Sequence, residues 1–121
     1  MTAGVRPWRI RLTAAAEADF EGILQWTVEH FGQAQARAYA DTLSAALEAL
    51  ADGPEIVGAT ARNDIAKGLF SLHVARQGRR GRHFVIFRIG GDKDRGAIEV
   101  LRLLHDAMDL SRHLPKGDEP E

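Results

Sequence analysis

Ile98-Glu-Val-Leu-Arg-Leu-Leu-His-Asp-Ala-Met-Asp-Leu-Ser-Arg-His-Leu114 is the stretch on which the fold turns. Its first half alternates apolar and polar residues, as a strand with one buried face does. Its second half carries His105, Met108, Asp109, Arg112 and His113, a set that no amphipathic element requires. Side chains of that kind, placed directly after a buried strand, either finish a core or form a working surface.

Working outward, the polar turn Gly90-Gly-Asp-Lys-Asp-Arg-Gly96 separates a strand at Ala97–Leu104 from one at Arg82–Ile89. A second glycine-bearing turn, Gln77–Gly81, separates the latter from Gly68–Val74. Turns this short join antiparallel neighbours, because a parallel return needs a dozen or more residues. Upstream, residues 53–67 hold no sustained period and read as a loop. Before them come two helical stripes. Phe20, Ile23, Leu24, Val28 and Phe31 lie on the first, and Ala36, Tyr39, Ala40, Leu43, Leu47 and Leu50 on the second. Thr13 reads as the first N-cap, with Glu17, Asp19 and Glu21 favouring the positive helix end. Gly32 reads as a left-handed C-cap, and Asp52-Gly53-Pro54 stops the second helix. The link at Gly32 is so short that the helices must form an antiparallel hairpin. Trp8–Leu12 alternates apolar and basic residues as a short strand. The expected architecture is α+β: an N-terminal strand, an antiparallel two-helix hairpin, a three-strand antiparallel meander and a short polar tail from Pro115.

A chain of 121 residues, 45% of them hydrophobic, is one domain with a modest core, spanning about residues 8–114. It has no cysteine, hence no disulfide and no thiolate metal site. No apolar run suggests a signal peptide or a membrane span, so the expectation is a cytoplasmic protein without membrane contact. A net charge of −1 conceals two unlike halves. Thr13–Glu55 holds one basic residue against eight acidic ones, whereas Arg62–Arg102 holds ten basic against four acidic. Such polarity suits steering of a charged partner, and equally describes two solvated faces that differ.

The five histidines, at 30, 73, 83, 105 and 113, lack zinc-site spacing, so no metal or other cofactor is expected. No serine has the glycine flanks of a nucleophile elbow, and the glycine pairs lack a strand–glycine–helix context for phosphate. The arginines at 76, 79, 80, 82, 88 and 102 form the stronger signal. Guanidinium forks suit carboxylate and phosphate alike, and a hairpin tip at 77–81 would present several together. An acidic protein partner explains the cluster as well as nucleic acid does, and aromatic platforms for bases are not evident on the strands. His105 or His83 beside arginines offers acid–base chemistry on RNA in principle, against the plainer reading of a packed, hydrogen-bonded ring.

Leu12–Phe20, the Phe31-Gly32 break, Leu50–Pro54, Gly68-Leu69, Arg82–Phe87, and Val100–Asp109 followed by Arg112-His113-Leu114 together resemble the ParE toxins of the RelE/ParE superfamily, from type II toxin–antitoxin systems. The likeness runs from about residue 8 to 114. It implies a non-enzymatic toxin that blocks DNA gyrase and is neutralised by a ParD-like antitoxin. That antitoxin's ribbon–helix–helix dimer would be the toxin's only link to DNA. On this reading Arg76, Arg79, Arg80, Arg82, Arg88 and Arg102 meet acidic residues of the antitoxin, and His105, Met108, Asp109, Arg112 and His113 face the target. Val74–Gly81 is longer and more basic than the corresponding link in many relatives. The rival within the superfamily is a RelE-like ribosome-dependent endoribonuclease. Such enzymes rely on lysines, arginines and a late tyrosine or histidine, and here only His105 is left for acid–base work.

Overall fold

The computed structural model describes residues 8–90 and 96–108. Its elements are β1 (Arg9–Leu12), α1 (Ala14–Phe31), α2 (Gln33–Ala49), a 3-10 turn (Leu50–Asp52), β2 (Thr60–Ala61), β3 (Phe70–His73), β4 (His83–Ile89) and β5 (Ala97–His105). They form one five-stranded sheet in the order β1-β5-β4-β3-β2. The expected α+β architecture is present, with the β3-β4-β5 meander antiparallel throughout. One feature departs from the sequence reading and another was left open by it. The two-residue strand β2 lies within the stretch read as loop and pairs antiparallel with β3. β1 joins the sheet parallel to β5, with Arg9 opposite Ala97 and Leu12 opposite Val100.

Thr13 caps α1 as expected, its hydroxyl accepting the Ala16 N–H at 3.0 Å while donating to the Leu101 carbonyl at 2.9 Å. One side chain thus starts the helix and fixes it to β5. Gly32 joins the helices at φ 92°, ψ 171°, a glycine-only conformation but not the left-handed helical one expected of its cap. Its N–H closes α1 on the Val28 carbonyl. The helices cover one face of the sheet, where Ala16, Leu43, Ala46 and Leu50 meet Leu72, Val85, Phe87, Ile98, Val100 and Leu103. The opposite face buries Leu69, Ile86, Leu101 and Leu104 beneath Ile65 and Ala66.

A register shift between Ile86 and Phe87 lets Ile86 pair with Arg102 and Phe87 with Val100, leaving Leu101 as the extra residue of a bulge. The strict alternation of β5 is broken there. Val100 and Leu103, three apart, therefore share the helix side, while Leu101 and Leu104 share the other.

Beyond Leu12, β5 has no β1 neighbour, and Asp19 from α1 takes the free edge. Its carboxylate accepts the Leu103 N–H at 2.9 Å and receives Arg102 through Nε at 2.7 Å and a second guanidinium nitrogen at 2.9 Å. Asp19 thus serves the sheet edge rather than the helix dipole assigned to it from sequence. Glu17 alone is acidic in the first turn.

Candidate functional site

The candidate site occupies the end of the sheet where β3 stops, β4 begins and β5 stops. Three histidines come together there, at 73, 83 and 105, because His83 is in register with His105 and His73 with Phe84. The His83 and His105 rings meet nearly perpendicular at 5.2 Å, and His73 sits edge-on to Phe84 at 4.9 Å. α2 adds Tyr39, and the residue after β5 adds Asp106.

Hydrogen bonds from backbone N–H groups fix the tautomers of His73 and His105. The Ala75 N–H donates to Nδ1 of His73 at 3.0 Å, so Nε2 carries the proton and donates to Asp106 at 2.9 Å. The Ala107 N–H donates to Nδ1 of His105 at 3.0 Å. The Tyr39 hydroxyl accepts the Arg82 N–H at 3.0 Å and is hydrogen-bonded to Nδ1 of His83 at 2.7 Å. Burial, and then the neighbouring His105, push His83 down to about 4, so the ring is neutral. Burial raises the Tyr39 phenol, which keeps its proton. Asp106 is held down at about 2 by its hydrogen bonds from Arg82 and His73. Arg82 engages both carboxylate oxygens, with Nε at 3.2 and 3.1 Å. In this cluster each of the three Nδ1 atoms is already engaged in a hydrogen bond.

Residues 74–82 leave this cluster as the arginine-bearing loop. Gln77 (φ 53°) and Gly78 (φ 82°) both lie in the left-handed region, and the Arg79 N–H donates to the Arg76 carbonyl at 3.0 Å. Two such central residues are what a type I′ turn needs, and the turn places Arg76 and Arg79 at its two ends. Gly81 seals the base of the loop. A Cβ there would overlap a Val74 methyl and lie 2.9 Å from the Tyr39 hydroxyl. The loop is therefore built against α2.

The six arginines singled out from sequence are not one patch. Arg76, Arg79, Arg80 and Arg82 share the loop. Arg88 lies six residues along β4 from Arg82, roughly 20 Å away at strand rise, and pairs with Glu99 at 2.8 Å. Arg102 is committed to Asp19. Among the target-facing candidates, His105 is half-buried in the cluster and Met108 is 44% exposed just beyond it. Asp109, Arg112 and His113 lie outside the described residues, as does most of the 90–96 turn. Sequence reasoning missed Tyr39, Asp106 and Asp19 as organisers. The adjacent His105-Asp106 pair was a weak signal for one of them, and nothing local pointed to the others. Among the described residues no group of histidines and carboxylates is arranged to hold a metal ion.

Residues 10–110 match the family profile for the ParE toxin of the type II toxin–antitoxin system parDE. The chain is 33% identical over 106 residues to Toxin ParE1 of Mycobacterium tuberculosis, covering 88% of this chain and 97% of that one. It is 31% identical over 104 residues to Toxin ParE1 of Caulobacter vibrioides, covering 86% and 95%. The fold superimposes on a chain of the chromosomal ParDE system from P. aeruginosa with a TM-score of 0.64 at 19% identity, covering 81% of this chain and 95% of that one. A chain of the toxin–antitoxin complex RelBE2 from M. tuberculosis is similar at a TM-score of 0.53 and 25% identity, covering 82% and 98%.

Proposed function

The chain belongs to the ParE family of type II toxin–antitoxin toxins, and from that premise we propose that it inhibits DNA gyrase by protein–protein contact and is held in check by a ParD-like antitoxin. The observation that carries the contact reading is the hydrogen-bonded network at the end of the sheet. His73 and His105 each use Nδ1 as an acceptor, Nδ1 of His83 is hydrogen-bonded to Tyr39, and Asp106 already holds Arg82 and His73. A general base needs a lone pair directed at substrate, and a phosphate-stabilising arginine needs a guanidinium that is not already neutralised. What the cluster offers instead is a rigid rim from which His105 and Met108 face outward. In the proposal, Asp109, Arg112 and His113 extend that target-binding surface.

The antitoxin is proposed to use the arginine loop. Arg79 and Arg80 are exposed, and among the described residues no carboxylate holds either side chain. DNA would be reached only through the antitoxin, and the site of action would be cytoplasmic. No helix among the described residues is long and apolar enough to cross a membrane.

The test is a supercoiling assay with purified gyrase, ATP and free toxin. Supercoiling should fall with toxin added and recover when antitoxin is supplied. Normal supercoiling at a large toxin excess would refute the proposal. Ribosome-dependent cleavage of messenger RNA is the second reading, motivated by three imidazoles and Arg82 in one cluster. Cleavage in translating ribosomes that is abolished by His105→Ala would establish it instead.

A further inference from the structure

A groove of about 500 Å³ runs between the C-terminal end of α2 and the arginine loop. Ala45, Glu48, Ala49 and Asp52 line the helix wall, Arg76, Gln77 and Arg79 the loop wall, with Ile56 and Val57 between them. Of its lining, Ile56 also packs against the helix-side core.

Two properties single it out. First, its walls carry opposite charge without joining. Among the described residues no ion pair links Glu48 or Asp52 to Arg76 or Arg79. In water such charges are solvated, but an occupant that displaces the water must bring complementary groups to both walls. Second, the loop wall is preformed. The type I′ turn sets the spacing of the two arginines, and Arg76 is anchored across the groove mouth by donating to the Val57 carbonyl at 3.2 Å. The apolar lining is shallow on the helix side, where alanines allow a backbone to come close, and Val57 stands 88% exposed beside it.

We propose that this groove is the docking site for a peptide segment of the antitoxin that carries a carboxylate toward Arg76 and Arg79, a lysine or arginine toward Glu48 and Asp52, and an aliphatic side chain between them against Ala45, Ala49 and Val57. The inference rests on the antitoxin reading above and adds the place and chemistry of the contact. A purely acidic segment would satisfy the loop wall but set its charge against Glu48 and Asp52. The groove therefore selects a charge-alternating partner, and the two wrong-sign contacts reject others.

The test measures affinity of the full-length chain for the full-length antitoxin encoded by the neighbouring reading frame, using calorimetry at two salt concentrations. Ala45→Trp fills the groove without changing charge, and a loss of at least tenfold in affinity is expected. Arg79→Glu and Glu48→Lys, both at exposed positions, should each weaken binding severalfold, and more so at low salt. Glu21→Lys, on the exposed face of α1 away from the groove, should leave affinity unchanged. Thermal melts of each variant identify any that fail to fold, and the two exposed-charge variants stand in for Ala45→Trp if it is lost. Wild-type affinity in Ala45→Trp and both charge variants would overturn the groove assignment while leaving the antitoxin reading intact. No binding by the unmodified chain would overturn both. A concentration-dependent dimer of the chain alone, abolished by Ala45→Trp, would assign the groove to a second copy and overturn the proposal.

Discussion

Acid should destabilise this protein through His83. The folded chain resists protonation there, since burial and the adjacent His105 lower the ring from 6.5 to about 4. The unfolded chain takes up the proton near 6.5, so between those values the unfolded state binds more protons and stability rises with pH. The stabilisation is complete above pH 6.5 and is lost as pH falls toward 4. At 1.36 kcal/mol per pH unit the full displacement corresponds to roughly 3 kcal/mol. His83 is only half-buried and solvent screens its charged form, so about 1–2 kcal/mol is the expected loss between pH 7 and 4.5. Asp106, held at about 2, titrates below this window. The assay is urea unfolding of the wild type and His83→Asn at several pH values. Asparagine keeps an acceptor for the Tyr39 hydroxyl and removes the proton site. The wild type should lose about 1–2 kcal/mol more than the variant on acidification. Parallel stability curves would refute the reasoning, because the proton uptake would then arise elsewhere.

Three further outcomes are expected. Asp19→Ala leaves the Leu103 N–H without its acceptor and removes the two-point contact with Arg102. A partly exposed charge-assisted pair of this kind is worth about 2 kcal/mol in urea unfolding, and a loss below about 0.5 kcal/mol would contradict the edge-sealing role. Gly81→Ala forces a methyl against Val74 and should cost about 1–3 kcal/mol, whereas Gly22→Ala, with nothing within 4 Å in the exposed middle of α1, should gain about 0.5–1 kcal/mol. Thermal melts that rank the two the other way would contradict the packing described at the loop base. Arg79→Glu combined with Arg80→Glu should weaken antitoxin binding by about 1–3 kcal/mol, measured by calorimetry, and affinity that is indifferent to salt would count against it.

The helical hairpin and the meander were legible because their signals are local. Thr13 offers a cap, the stripes recur every three or four residues, and glycine-bearing turns are too short for anything but antiparallel return. β2 was not legible, since a two-residue strand has no period to detect and exists only because β3 presents an edge to Thr60 and Ala61. The candidate site was legible only in part. His105, Met108 and the 76–82 arginines stand out by composition, but their fates differ through partners remote in sequence. Asp19 takes Arg102 across 83 residues, and Tyr39 meets His83 across 44.

The sequence by itself determined the elements other than β2, the order in which they come, the charge split and the family. Those follow from side-chain period, turn chemistry and motif order, all of which act between near neighbours. Tertiary structure alone decided that β1 runs parallel to β5, that the bulge at Leu101 divides the final strand between two cores, and that three imidazoles close into one network. It also decided which guanidiniums stand exposed on the loop and which are already neutralised. A guanidinium has the same local sequence signal in either case, and only the folded chain brings a carboxylate within reach of it.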